Sequence, residues 1–221
     1  IGIGGVSMSS LAKLLKNDGH IITGSDINES SNVRSLKAAG IEVYIPQSAD
    51  NIKDYDLVVY TAAVKEDNPE LKKARESGIL TVERCVLLGE MMKGYSCPIN
   101  VSGTHGKTTT TSMLAEIFVK GDKKPTVSVG GNLSAIGGNL LIGEKDYFIC
   151  EACEYVESFL KFFPKMSVVL NIEADHLDYF LGIDHIKSAF LKFGELTSDT
   201  IIYNGDDENC KVLEVLKDKN L

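Results

Sequence analysis

The sequence predicts an α/β protein made of two parallel-sheet domains in series. Three observations carry that prediction. Apolar runs of strand length alternate with amphipathic runs of helix length nearly throughout, the rhythm of parallel sheets covered by helices. A glycine-rich turn follows an apolar run twice, in "IGIGG" and in "VSGTHGK". The rhythm restarts at "KGYSCP", which sets the domains at residues 1–94 and 95–221.

Taken in order, "IGIGG" reads as the end of a strand that begins before Ile1. Met8, Leu11, Leu14 and Leu15 recur at helical spacing over 7–18, and Gly19 stops the run. Residues 20–26 read as a strand, 31–40 as a short helix ending at Gly40, and "IEVYI" and "DLVVYT" as strands. "PELKKARESG" is a helix with Pro69 in its first turn and Gly78 past its end. "ILTVE" and "CVLLGEMMK" add a strand and a helix. In the second domain "PTVSV", "DYFICEA", "SVVLNI" and "TIIYN" are strands, while "GGNLSAIGGNLLIG" (130–143) reads as a looser stretch.

Composition narrows the function. The 221 residues suffice for a sizeable core, with 43% hydrophobic and 24% charged residues. A net charge of -8 with no basic stripe argues against a nucleic-acid partner. No apolar run approaches the roughly 20 residues that span a bilayer. The five cysteines are odd in number and lie in apolar contexts, the pattern of reduced thiols. Cys150 and Cys153 form a C-x-x-C, but no second pair stands at zinc spacing.

The second glycine turn carries the strongest chemistry. A strand, a Gly-rich loop and a helix in succession leave free backbone N–H groups at the helix start, where the dipole also favours an anion. Gly103 and Gly106 permit a tight turn and close approach, Lys107 reaches outer phosphates, and Thr108 offers a hydroxyl to Mg²⁺. The loop is a shortened variant, with Val101 where a further glycine is usual. Mg²⁺ takes few protein oxygens and keeps several waters. Glu151, where "DYFICEA" leaves its strand, is the best carboxylate, with Glu154 in reserve. After "SVVL", residues 171–180 gather Glu173, Asp175, His176 and Asp178 at a strand end, where parallel sheets bind ligands. His176 there suits a second metal or a phosphoryl oxygen.

The first glycine turn is a weaker signal. Gly2, Gly4 and Ser7 nearly spell G-x-G-x-x-G, and Asp26 closes the next strand, where an acid commonly meets a ribose. NAD, another nucleotide diphosphate such as a UDP-sugar, or a bare βα turn all remain open on these residues.

Two nucleotide loops in succession, the second spelled G-T-H-G-K-T-T-T, resemble the Mur ligases. The matching pieces are "GIGGVSMSSLA", "GSDI", "SGTHGKTTTTSMLA", "EACEYVESFL" and "NIEADHLDYF". The resemblance implies a Rossmann-like UDP-sugar domain, then a P-loop ATP-binding domain that is incomplete. It implies a cytoplasmic ligase of peptidoglycan precursor synthesis, with ATP and Mg²⁺ as cofactors. Its substrates are then UDP-N-acetylmuramate and L-alanine, joined through an acyl phosphate, with neither nucleic acid nor membrane as partner.

By the same resemblance, Gly103, Thr104, His105, Gly106, Lys107, Thr108 and Thr109 surround ATP. Thr108, Glu151 and His176 bind metal, and Lys107, His176 and Glu151 carry the catalysis. Gly4, Gly5, Ser7, Asp26 and His105 face the UDP-sugar. Cys153 and Val156 stand where many relatives carry Asp, and Ser7 where many carry Gly. The family has a third domain that brings the amino acid, so residues 1–221 alone are expected not to ligate. The alternatives are an NAD-dependent oxidoreductase, a regulatory P-loop switch, and a recycling ligase that adds a tripeptide to the same UDP-sugar.

Overall fold

Parallel pairing dominates the computed structural model, which describes residues 1–221 with the side chain of Asn132 left aside. Backbone contacts separate two units, Ile1–Leu88 and Gly89–Leu221.

In the first unit, β1 (Thr23–Ser25) pairs in parallel with β2 (Glu42–Tyr44), and β3 (Leu57–Tyr60) with β4 (Leu80–Glu83). Residues 1–3 lie between the pairs. The Ile1 nitrogen donates to Val59 O at 2.6 Å, and the Ile3 N–H donates to Ser25 O at 2.9 Å. The order β2, β1, residues 1–3, β3, β4 therefore reverses direction of growth beside the first glycine turn, the place where open α/β sheets take ligands.

Three helices cover these strands. α1 (Val6–Asn17) and α2 (Ser31–Ala38) close one core over Ile3, Ala12, Val33, Leu36, Ile41 and Val43. α3 (Pro69–Glu76) closes another, with Leu71 and Ala74 against Ile1 and Val58. Each fully buried aliphatic side chain here contributes about 1.5–3 kcal/mol. The helix starts are capped as their sequences require. Ser30 accepts from Val33 N–H, and Asn68 accepts from Glu70 and Leu71 N–H just before Pro69.

α4 (Arg84–Met92) carries the chain into the second unit. There β5 (Cys97–Ser102), β6 (Thr126–Leu133), β7 (Gly138–Leu141), β8 (Tyr147–Glu151), β9 (Met166–Val169) and β10 (Thr200–Tyr203) form one sheet in the order β10-β9-β5-β8-β6-β7. All neighbours are parallel except β6 and β7. β5 is central and almost wholly buried, which its unbroken apolar run requires. α5 (Lys107–Lys120) packs Ala115 against Ile99, Val127, Val129 and Ile149.

Two features depart from the reading of the sequence. The stretch 130–143 is ordered as the end of β6, a short 3₁₀ turn and antiparallel β7. Its glycines suggested looseness, but Gly130 lies against the Glu151 carboxylate, which would stand 2.9 Å from any Cβ. Second, α6 (Ile183–Leu196) was not anticipated. Its signal was present: Ile186, Ala189, Phe190 and Phe193 are buried at helical spacing. Phe193 stacks on Phe159 with centroids 4.8 Å apart, and Phe190 meets the same ring edge-on at 5.2 Å.

This three-ring cluster ties α6 to the 3₁₀ segment Tyr155–Lys161. Phe159→Ala is therefore expected to lower unfolding free energy by about 4 kcal/mol. Urea denaturation followed by circular dichroism measures it, and a loss below about 1 kcal/mol would show that the cluster does not hold α6.

Candidate functional site

The second glycine turn lies at the carboxyl ends of β5, β8 and β9, and the three strand ends build it together. Gly103 and Gly106 have φ of 138° and 85°, conformations that side chains resist. At Gly103 a Cβ would also lie 3.0 Å from Leu170 Cβ and 3.1 Å from Asn171 N. Glycine at 103 is thus required twice, by torsion and by the approach of the β9 exit.

That exit grips the loop. Asn171 Oδ1 accepts the His105 N–H at 2.7 Å, and Asn171 Nδ2 donates to His105 O at 3.1 Å. Thr104 N–H donates to Asn171 O at 3.0 Å, and Thr104 Oγ1 accepts from Glu173 N–H at 2.9 Å. Behind this ladder, Asp207 Oδ2 accepts from Ile172 N–H and Asn209 Nδ2 donates to Ile172 O. Asn171, Asp207 and Asn209 were not singled out from sequence. Asn171 was discoverable from its place at a strand exit; the two later residues were not, because only the fold brings them near.

The chemistry-bearing side chains sit at the mouth. Lys107 begins α5, and its Nζ meets Glu154 at 2.9 and 3.1 Å and Gly103 O at 2.5 Å. Thr108 Oγ1 donates to Glu151 Oε2 at 3.1 Å. Glu151 Oε1 accepts from Gly130 N–H at 2.6 Å. A hydroxyl and a carboxylate thus converge, hard oxygens of the kind Mg²⁺ takes alongside water and phosphate oxygens. Among the described residues no three or more His, Cys, Asp or Glu side chains are grouped to hold a metal unaided. A divalent ion at this mouth would take the rest of its shell from water or phosphate oxygens. Glu154 is buried and pairs with the lysine, so its reserve role as metal ligand is not the one its contacts support.

The other expected residues are placed as follows. Thr109 is exposed on the first turn of α5, and His105 is exposed with Nε2 3.8 Å from Glu173 Oε2. His176 has a φ of 51° and lies under Tyr155, ring centroids 4.6 Å apart. Tyr155 in turn donates to Asp178 at 2.9 Å. Among the described residues no hydrogen bond or ion pair joins His176 to Thr108 or Glu151. In the first unit, Asp26 Oδ2 accepts the Gly4 N–H at 2.8 Å and Asn32 Nδ2 donates to Gly4 O at 2.9 Å. Gly5 precedes α1 and Ser7 lies half-buried in its first turn. Cys150 is buried and Cys153 exposed, which separates the C-x-x-C pair. Burial pushes the Cys210 thiol up to about 12, and Asp207 adds to it, so this sulfur stays protonated.

Residues 1–96 match the catalytic domain described for the Mur ligase family, and residues 101–220 match the Mur ligase middle domain. The chain belongs to the Mur ligase family. Among its relatives, the UDP-N-acetylmuramate–L-alanine ligase of Acetivibrio thermocellus is 58% identical over 220 residues, 99% of this chain and 46% of the relative. The enzyme of the same name from Clostridium perfringens is 51% identical, covering 98% of this chain and 48% of the relative. The chain thus spans about half the length of these relatives. The crystal structure of UDP-N-acetylmuramate-alanine ligase from Thermotoga maritima superposes with a TM-score of 0.88 at 34% identity, over 96% of this chain and 50% of that one. That of UDP-N-acetylmuramate:L-alanyl-gamma-D-glutamyl-meso-diaminopimelate ligase from Neisseria meningitides gives 0.88 at 26%, over 97% and 73%. No helix among the described residues is long and apolar enough to cross a membrane.

Asn171→Ala removes both hydrogen bonds to the His105 peptide. It is expected to cost about 1–3 kcal/mol of stability and to speed hydrogen exchange at the His105 amide. Unchanged exchange there, measured by NMR, would show that the loop holds its shape without the asparagine.

Proposed function

We propose that this chain supplies the UDP-sugar and ATP-phosphate sites of an ATP-dependent ligase. The reaction joins L-alanine to the lactyl carboxylate of UDP-N-acetylmuramate in peptidoglycan precursor synthesis, in the cytoplasm. One observation carries the reading most. A lysine, and a threonine hydroxyl paired with a carboxylate, meet at a helix N-terminus inside a sequence 58% identical to a ligase of that name.

A carboxylate is a poor acyl donor. In the proposed sequence its oxygen attacks the γ-phosphorus of ATP, the bond to the β-phosphate oxygen breaks, and ADP leaves. The amine of L-alanine, unprotonated, then attacks the acyl carbon, phosphate departs, and the nitrogen gives up one proton and keeps the other in the amide. The loop N–H groups between Gly103 and Thr108 bind and orient the phosphates, and Lys107 neutralises charge as it shifts. Thr108 and Glu151 are placed to hold Mg²⁺, which when bound offsets negative charge on the phosphates. His176 is assigned to a second metal near the substrate carboxylate, and His105 to the sugar side. Gly4, Gly5, Ser7 and Asp26 are assigned to the UDP moiety. There Asp26 holds the turn in shape through Gly4 N–H, so its contribution is as much to the loop as to the ligand.

A second reading has one observation behind it. The tripeptide-adding ligase fold of Neisseria meningitides superposes equally well, at 0.88. Its 26% identity against 58% for the alanine-adding relative favours the first reading.

Calorimetric titration of the chain with UDP-N-acetylmuramate, with NAD⁺ run in parallel, tests the assignment of the first unit. UDP-sugar binding without NAD⁺ binding is expected, and Asp26→Ala is expected to weaken it while leaving ATP binding intact. Binding of NAD⁺ alone would overturn the reading in favour of an oxidoreductase. Equal loss of both ligands in Asp26→Ala would show a folding defect in place of a binding role.

A further inference from the structure

Lys107 is the cation a bound phosphate needs, and its ammonium is already engaged. It meets Gly103 O at 2.5 Å, Thr104 O at 3.2 Å and both oxygens of Glu154 at 2.9 and 3.1 Å. Two of these partners belong to the loop itself, so the side chain folds back over the turn it serves. Glu154 is fixed from behind: its carbonyl accepts from Glu157 N–H at 2.8 Å. Its side chain is 2% exposed, against 16% for Lys107. A carboxylate that deep loses its hydration and depends on its ion-pair partner for compensation. Among the described residues Lys107 is the sole cation within ion-pair distance of it.

From this geometry we infer that Glu154 is a positioning residue of the phosphate loop. It is the resting counter-ion of Lys107, which an entering phosphate must displace and which takes the ammonium back as the nucleotide leaves. The inference rests on reading residues 103–108 as an ATP-phosphate site. Two consequences follow from charge. Glu154 keeps the ammonium at the loop mouth, and it also weakens polyphosphate binding. The lysine's charge is already matched, and a second anion approaching it is repelled by the first. A purely supporting Glu154 would act with the opposite sign, since its loss would loosen the loop and weaken binding. The two roles are therefore separated by the direction of one affinity change.

The probes are ADP with Mg²⁺ and inorganic tripolyphosphate, titrated calorimetrically into the chain. Glu154→Gln keeps the shape and removes the charge. If Lys107 is free of Glu154 about one-tenth of the time, apparent affinity for both probes should rise roughly tenfold in this variant. Glu154→Asp, which withdraws the charge by one methylene, should give a smaller rise and serves if Glu154→Gln fails to fold. Lys107→Ala should abolish binding of both probes. Unchanged or weaker binding by folded Glu154→Gln or Glu154→Asp, with Lys107→Ala still defective, overturns the role of Glu154 alone. Undiminished binding by Lys107→Ala overturns the reading of the loop itself.

Discussion

A single amide side chain, that of Asn171, holds both the N–H and the C=O of His105, and the shape of the turn after β5 depends on that grip. Two positive-φ glycines make the turn after β5 possible, and they also make it loose, since glycine surrenders more conformational freedom on folding than any other residue. Something must restore order without adding bulk, because a Cβ at 103 would meet the β9 exit. Hydrogen bonds from the neighbouring strand end do this. They use backbone and one asparagine, and they are themselves braced by Asp207 and Asn209. The N–H groups proposed to bind the phosphates are thereby held in place by the fold itself, the preorganisation that avoids rearrangement during a reaction.

The two glycine turns solve the same steric problem with different anchors. In the first unit the anchor is a charge: Asp26 accepts the Gly4 N–H, and a Cβ at Gly4 would stand 2.8 Å from that carboxylate. In the second unit it is a neutral amide. The difference suits the part of the ligand each anchor is proposed to meet. A carboxylate beside a triphosphate would repel it, whereas an acid beside ribose hydroxyls finds donors. Where a carboxylate does approach the second glycine turn, at Glu151 and Glu154, a threonine hydroxyl or a lysine stands against it.

Most of the fold was legible because its signals are local. Alternating apolar runs, Pro69 at a helix start and Gly78 past its end all act within a few residues. The second glycine turn, as a strand-turn-helix junction, was legible for the same reason, since strand, glycines, lysine and threonine are contiguous. What stayed hidden was non-local. The bracing of residues 171–173 by Asp207 and Asn209 joins positions far apart in sequence. The pairing of Lys107 with Glu154 depends on β5 and β8 being neighbours, which no stretch of either strand announces. The hairpin of β6 and β7 was read only as a looser stretch, when at Gly130 the glycine makes room for a carboxylate. Only α6 was missed despite a clear local pattern.

The central claim is that residues 103–108, with Thr108 and Glu151, form a phosphate cradle that shares one divalent ion with the nucleotide. Paramagnetic NMR tests it most directly, with isotope-labelled chain, ATP, and Mn²⁺ substituted for Mg²⁺. The account predicts broadening centred on the amides of Gly106, Thr108, Gly130 and Glu151, dependent on ATP being present. Broadening centred elsewhere, or of equal strength without ATP, would contradict it.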